Sequence, residues 1–234
     1  MSVSLSRYAL YYAPEQNSLP AELGARLLGR NAWTGTILEQ PELPGIDPVR
    51  LAELTEEPRH YGLHATLKPP FFLAEGISEN DLERAVLRLA TSHTSFTLPR
   101  LEIRSIGRFL ALALIADSPA LENLARHCVM DLDCLRRPST DSDLARRRSK
   151  GLTEKQDQLL LRYGYPYVLE EFRFHLTLTG SMERVAEREL LRERLHDFLS
   201  PALTQPLTLR ELCIFRQPTL TEPFTVWRKV DLMS

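Results

Sequence analysis

Two short segments carry the same reactive residues in the same order. In YGLHATLKPP, His64 is followed two residues later by Thr66, and in FRFHLTLTG, His175 is followed by Thr177. Imidazole titrates near neutral pH, so of two such rings one can accept a proton while the other donates one. That pairing suits an in-line displacement at phosphorus, in which an attacking oxygen loses a proton and a leaving oxygen gains one. Two threonine hydroxyls can donate to the non-bridging oxygens and stabilise their charge through the transition state. Neither segment places Asp, Glu or Cys at a ligand position and threonine is a poor zinc ligand, so the chemistry expected needs no metal and no cofactor.

Both motifs sit in apolar runs that read as strands. Residues two apart share a strand face, so His64 projects with Thr66 and His175 with Thr177, while Leu63, Ala65, Leu67, Phe174, Leu176 and Leu178 turn to the core. The same alternation predicts that Lys68 continues the His64 face and that Arg173 lies beside His175, each able to reach an anionic oxygen as a cation. Tyr8 and Tyr11, on an earlier strand-like segment, are candidates to line the site, with Tyr8 taken as substrate-binding; Trp33 is a candidate to stack on a base or ribose.

The positioning elements follow from patterning. SRYALYYAP reads as a first strand, LPAELGARLLG as a short helix closed by Gly29, and RNAWTGTILEQPELPGIDP as loop. The His64 strand is expected over Tyr61–Lys68, stopped by Pro69 and Pro70. A helix capped by Ser78 follows, then a hairpin around Gly107, a helix through LENLARHCVM, and another opened by a Thr153/Gln156 capping box. After the second motif, SMERVAERELLRERLHDFLS predicts a helix with Val185, Leu191, Leu195 and Leu199 on one face, and two alternating strands close the chain.

This order of elements repeats, and so does its spacing. His175 lies 111 residues after His64 (175 − 64), and Leu207-Thr208-Leu209 lies 111 after Phe96-Thr97-Leu98 (207 − 96). Coincident offsets in matching order argue for two copies of one supersecondary unit. A single domain over 1–234 is expected, with approximate repeats 56–118 and 167–232, an N-terminal strand and helix over 4–29, and a helical, basic connector over 119–166. A pseudo-twofold axis is expected to set the two histidine strands face to face across a cleft.

Composition narrows the partners. Hydrophobic residues make up 43% and charged residues 26%, as in ordinary globular proteins, and the net charge of −2 gives RNA or another polyanion no global attraction. The one locally basic stretch, 136–151, reads as a solvated linker or helix face rather than a phosphate-attracting patch. No run of 18 apolar residues and no leader pattern occurs, so a cytoplasmic protein without membrane contact is expected. Cys128, Cys134 and Cys213 are odd in number and lack a CxxC spacing, so they read as reduced thiols.

On these residues the chain resembles the two-histidine (2H) phosphoesterase superfamily, which includes 2′,3′-cyclic nucleotide phosphodiesterases and RNA 2′,3′-cyclic phosphate processing enzymes. RYALYYAP, GLHATLKPPF and LARRRSKGLTEKQDQLLLRYGYPYVLEEFRFHLTLTG are similar to one branch of it, encoded in bacterial phosphonate-utilisation operons. The resemblance implies an α+β, bilobal duplicated fold, each lobe an antiparallel sheet with helices outside and a groove between lobes. It implies a hydrolase opening a small cyclic phosphodiester, a ribose or nucleoside cyclic phosphate, with His64 and His175 catalytic and Thr66 and Thr177 holding the phosphate. The alternative is a module that binds a phosphorylated metabolite or RNA end without turnover.

Overall fold

A computed structural model describes residues 6–149, 151–204 and 206–234. The architecture is α+β, built on a large antiparallel sheet. Its strands are β1 (Arg7–Tyr12), β2 (Ala65–Phe72), β4 (Leu101–Ile106), β5 (Phe109–Leu114), β6 (His175–Thr177), β8 (Glu211–Gln217) and β9 (Thr225–Asp231), in the order β4-β5-β6-β2-β1-β8-β9. β3 (Phe96–Thr97) and β7 (Thr208–Leu209) form a separate two-stranded ladder.

The helices are α1 (Leu19–Leu28), α2 (Pro48–Tyr61), α3 (Glu79–Ala90), α4 (Pro119–Met130), α5 (Asp141–Arg148), α6 (Glu154–Tyr163) and α7 (Val185–Leu203). Their ends follow local chemistry. Ser78 and Asp81 close a reciprocal capping box on α3, as Thr153 and Gln156 do on α6, while α1 ends at Gly29 in the left-handed conformation. Helices α3, α4 and α7 bury Leu82, Val86, Leu124, Cys128, Leu191 and Leu195 against Leu10, Ala65, Leu67, Leu112, Leu176 and Ile214 of the sheet. Each fully buried leucine contributes about 2 kcal/mol of hydrophobic stabilisation. Val185, at the start of α7, is exposed rather than part of that face. Cys128 and Cys213 are buried and Cys134 is exposed, all as free thiols.

Two elements depart from the sequence reading. α2 precedes the first motif where loop and strand were expected; Asp47 caps it and Pro48 opens it, but its apolar stripe amounts to Leu51 and Leu54, too little to show as a period. And β2 begins at Ala65 and runs through Pro69 and Pro70 to Phe72 instead of stopping at the prolines. Its pairing with β1 shifts register twice there, and bulged positions tolerate the missing N–H. α5, started by a Thr140/Asp143 capping box, makes the basic stretch a helix with no buried residue, in line with the helical connector expected there.

The two histidine strands are side by side rather than facing across a cleft. β2 and β6 are hydrogen-bonded antiparallel neighbours with Ala65 opposite Leu176, and β3 pairs with β7 with Thr97 opposite Thr208. In both ladders a residue sits opposite the residue 111 positions further along (176 − 65; 208 − 97), so one local twofold axis relates the two pairs. Around it the sheet is not symmetric: β6 is flanked by β5, whereas β2 is flanked by the N-terminal strand β1.

Candidate active site

Stepping one residue either way from the Ala65–Leu176 pair sets His64 opposite Thr177 and Thr66 opposite His175. Directly opposite residues of an antiparallel pair share a face, so all four side chains project to one side of the sheet, away from the core packed by α3, α4 and α7. The two histidines occupy one diagonal of this quartet, about 7–8 Å apart at the backbone, and the two threonines the other. A local twofold therefore presents each imidazole beside the hydroxyl of the opposite motif.

Both rings are held in the same way. His64 Nδ1 lies 2.8 Å from the carbonyl oxygen of Gly62, and His175 Nδ1 lies 2.7 Å from that of Arg173, in each case two residues upstream. A carbonyl can only accept, so Nδ1 carries the hydrogen and Nε2 of both rings remains the reactive nitrogen. Thr66 Oγ1 is 3.4 Å from His64 Nε2, a long contact in which the hydroxyl donates.

The His64 environment is aromatic. Tyr11 stacks on it with ring centroids 4.0 Å apart, Tyr61 tilts against it at 5.6 Å, and Phe215 lies at 6.1 Å. Burial pushes the His64 pKa down to about 4; the Gly62 carbonyl opposes that shift and the His175 ring adds to it. His175, with Phe109 at 5.8 Å, is lowered by burial and partly restored by its bond to the Arg173 carbonyl. Beyond β6, Ala111 and Ala113 are paired with Thr177 and His175, so directly opposite the motif only methyl groups stand before Glu102 and Arg104 of β4, with Phe109 the one ring on that side. The face is walled by rings beside β2 and low beside β6.

Three candidates from the sequence sit elsewhere or act otherwise. Lys68 does not continue the histidine face. Leu10 is its partner although Tyr11 pairs with Thr66, so Leu67 and Lys68 together oppose one residue. That bulge turns Lys68 into the core, where Nζ donates to the Val129 carbonyl at 3.0 Å and lies 3.6 Å from Asp133. Tyr8 is also on the wrong face: Tyr8, Leu10 and Tyr12 join the main core, and the Tyr8 hydroxyl donates to Glu79 and not to the site. Its neighbour on the histidine face is Tyr11. Arg173 is exposed, with its guanidinium donating to the carbonyls of Glu170 and Phe172; its backbone oxygen, rather than its charge, serves the site. Trp33 packs on the cluster of Ala9, Tyr11, Ala13, Ala32, Cys213, Phe215 and Phe224.

Sequence reasoning missed the contribution of the connector. Arg147 of α5 lies over the ring of Tyr165, 4.7 Å from its centroid, and both are within electrostatic range of Tyr61. The signal was present as the aromatic spacing Tyr163-Gly-Tyr165-Pro-Tyr167 just after the basic run. Among the described residues, no group of three His, Cys, Asp or Glu side chains is placed to hold a metal, and no helix is long and apolar enough to cross a membrane.

The fold and this face define an α+β protein presenting paired His-x-Thr units on neighbouring antiparallel strands. The chain belongs to the family described as "Protein of unknown function (DUF1045)", whose model matches residues 66–225. It is 35% identical over 232 residues to the ribose 1,5-bisphosphate phosphokinase PhnN of Janthinobacterium sp. (strain Marseille), covering 98% of this chain and 51% of that protein. It is 33% identical over 228 residues to the protein of the same name from Laribacter hongkongensis (strain HLHK9), covering 97% and 52%. The chain thus spans about half the length of the curated relatives it matches. Among solved structures it is similar to E. coli LigT complexed with 3′-AMP, at 15% identity and a TM-score of 0.43, covering 98% of this chain and 99% of that one.

Proposed function

We propose that this chain is a metal-independent phosphoesterase that opens a small cyclic phosphodiester, with His64 and His175 as its acid–base pair. The observation that carries the reading is the quartet: two imidazoles on one diagonal and two hydroxyls on the other, with both Nδ1 atoms tethered to carbonyls and both Nε2 atoms left for chemistry. A phosphate seated at its centre has a ring on either side, as in-line displacement demands. His64, whose pKa is pushed down to about 4, is the ring that stays neutral, so its Nε2 takes the proton from an attacking water. As the new P–O bond forms and the ring ester bond breaks, His175 Nε2–H gives its proton to the departing sugar oxygen. Thr66 and Thr177 donate to the non-bridging oxygens.

The kinase named in the curated relatives belongs, in this reading, to the half of those proteins that this chain does not span. A phosphate-cradling loop of the G-x-x-x-x-G-K-[ST] type needs free backbone N–H groups and a lysine. Here the G-x-x-x-x-G spacing of Gly24 and Gly29 lies in α1 and its cap, followed by Arg30 and Asn31. Arg30 is buried and donates to the Phe224 carbonyl at 2.6 Å. The phosphokinase name on those relatives still favours a ribose phosphate as substrate over a nucleotide.

The test is turnover of EDTA-treated protein against ribose 1,2-cyclic phosphate, its 5-phosphate, and nucleoside 2′,3′-cyclic phosphates. Turnover is expected with at least one, and His64→Ala or His175→Ala should each lower kcat by about 10²- to 10⁴-fold with the fold retained by circular dichroism. Binding without turnover in the wild type would make the chain a phosphate-binding module instead.

A further inference from the structure

We propose that Arg147, Tyr11, Tyr61 and Tyr165 form a second anion subsite beside His64, which takes a phosphate monoester carried by the same substrate molecule. The identity of the shared substrate rests on the phosphoesterase reading; the subsite itself rests on hydrogen-bond accounting. Arg146 and Arg148 pair with Asp143 and Asp157, whereas Arg147, between them, turns inward and makes no ion pair among the described residues. It lies over the face of Tyr165. Asp143 is within its electrostatic range but is already paired with Arg146, so the half-buried guanidinium has lost water with no carboxylate bonded to it, a cost that an arriving anion offsets.

The three phenols add donors and no competing acceptor charge. Tyr11 is 1% exposed, yet its hydroxyl makes no hydrogen bond among the described residues. Tyr61 and Tyr165 are half-buried and make none either, and the three phenols lie within electrostatic range of one another. Burial raises the Tyr11 pKa far above its usual value, so the group stays protonated and can only donate to an anion. Tyr11, stacked on His64, and Tyr61, tilted against it, fix the subsite to the wall of the quartet. Donors alone suit a phosphate monoester, which offers acceptors alone. A nucleobase would bring donors of its own against these hydroxyls and the cation.

Ribose 5-phosphate, an unreactive monoester, is the probe. By calorimetry on EDTA-treated protein it should bind the wild type, lose at least tenfold in affinity with Arg147→Met or Tyr11→Phe, and keep its affinity within a few-fold in the His64→Ala/His175→Ala double variant. Arg147→Lys should recover part of the loss. No binding to the wild type, wild-type affinity in Arg147→Met, or loss confined to the histidine double variant would overturn the subsite. A second arm compares kcat/KM for ribose 1,2-cyclic phosphate with and without a 5-phosphate: the preference for the phosphorylated form should collapse at least tenfold in Arg147→Met, whereas a structural role would lower both alike. If no cyclic diester is turned over but Arg147-dependent ribose 5-phosphate binding persists, the phosphoesterase reading falls and the subsite stands. A preference for nucleoside cyclic phosphates unaffected by Arg147→Met would replace the monoester with a base.

Discussion

Protonation is where the site's geometry makes its most exposed commitment. Burial pushes the His64 pKa down to about 4 and lowers that of His175 from its ordinary value, which favours the neutral form of each ring in the free protein at pH 7. On the proposed mechanism the productive form needs one neutral and one protonated ring, and kcat/KM follows the free-enzyme ionisations. Its optimum should therefore fall between about pH 4 and 6.5, with about tenfold less activity for each pH unit above that range. At pH 7 less than about a quarter of His175 is charged, even at the unperturbed pKa.

Substrate changes this. A phosphodiester anion about 4 Å from an imidazolium, at an effective dielectric of about 20, attracts it by about 4 kcal/mol, or about 3 pKa units. The kcat profile should accordingly extend to higher pH than the kcat/KM profile, with its alkaline limb above 6.5. Initial rates at saturating and subsaturating substrate from about pH 4 to 9 give both profiles. Histidine ring proton resonances followed by NMR report the free-protein values directly, and His175→Ala should abolish the alkaline limb. A kcat/KM limb rising through pH 7, or identical profiles at low and high substrate, would refute the buried, neutral pair.

Other expectations follow from residues around the quartet. Lys68 has its pKa lowered to about 8 by burial. Between pH 8 and 10.5 the unfolded chain therefore binds a proton that the folded chain has released, and stability should rise by about 3 kcal/mol across that window in the wild type. In Lys68→Met that rise should vanish, as read by urea unfolding at several pH values. Gly62 holds φ 78 and ψ 175, and an added Cβ would lie 2.4 Å from the Ala32 Cβ. Gly62→Ala should cost about 1–3 kcal/mol by thermal melt, and it should also lower kcat, because the Gly62 carbonyl fixes the His64 tautomer. Tyr8→Phe removes a hydrogen bond to Glu79 on the core face; it should cost about 1–2 kcal/mol and leave kcat as in the wild type, the opposite of what a cleft-lining role would give.

What the sequence made legible was the quartet, and the reason is period. Alternation assigns His64, Thr66, His175 and Thr177 to one side of their strands without reference to any other element, and the offset of 111 links the two copies. Lys68 failed the same rule because alternation holds only while the register does. The bulge opposite Leu10 is a property of how β2 meets β1, and no residue within β2 declares it. Tyr8 against Tyr11 failed for a related reason, since an all-buried strand of the pattern Tyr-Ala-Leu-Tyr-Tyr shows no polar face from which to judge inside from outside.

The side-by-side placement of the motif strands was also invisible, and it sets how the two imidazoles lie relative to one another. A duplication alone permits the copies to face each other across a gap or to meet edge to edge. Edge to edge, with Ala65 against its own counterpart Leu176, the two histidine strands cannot separate without breaking the ladder, so the distance between the imidazoles is set by backbone pairing rather than by lobe motion. On the proposed mechanism the histidine diagonal is then rigid, and the wall that departs from the twofold, Tyr11 of β1 with Tyr61 and the Arg147 helix of the proposed subsite, is what would choose the substrate. Selectivity in this family should accordingly vary with those residues while the quartet stays fixed.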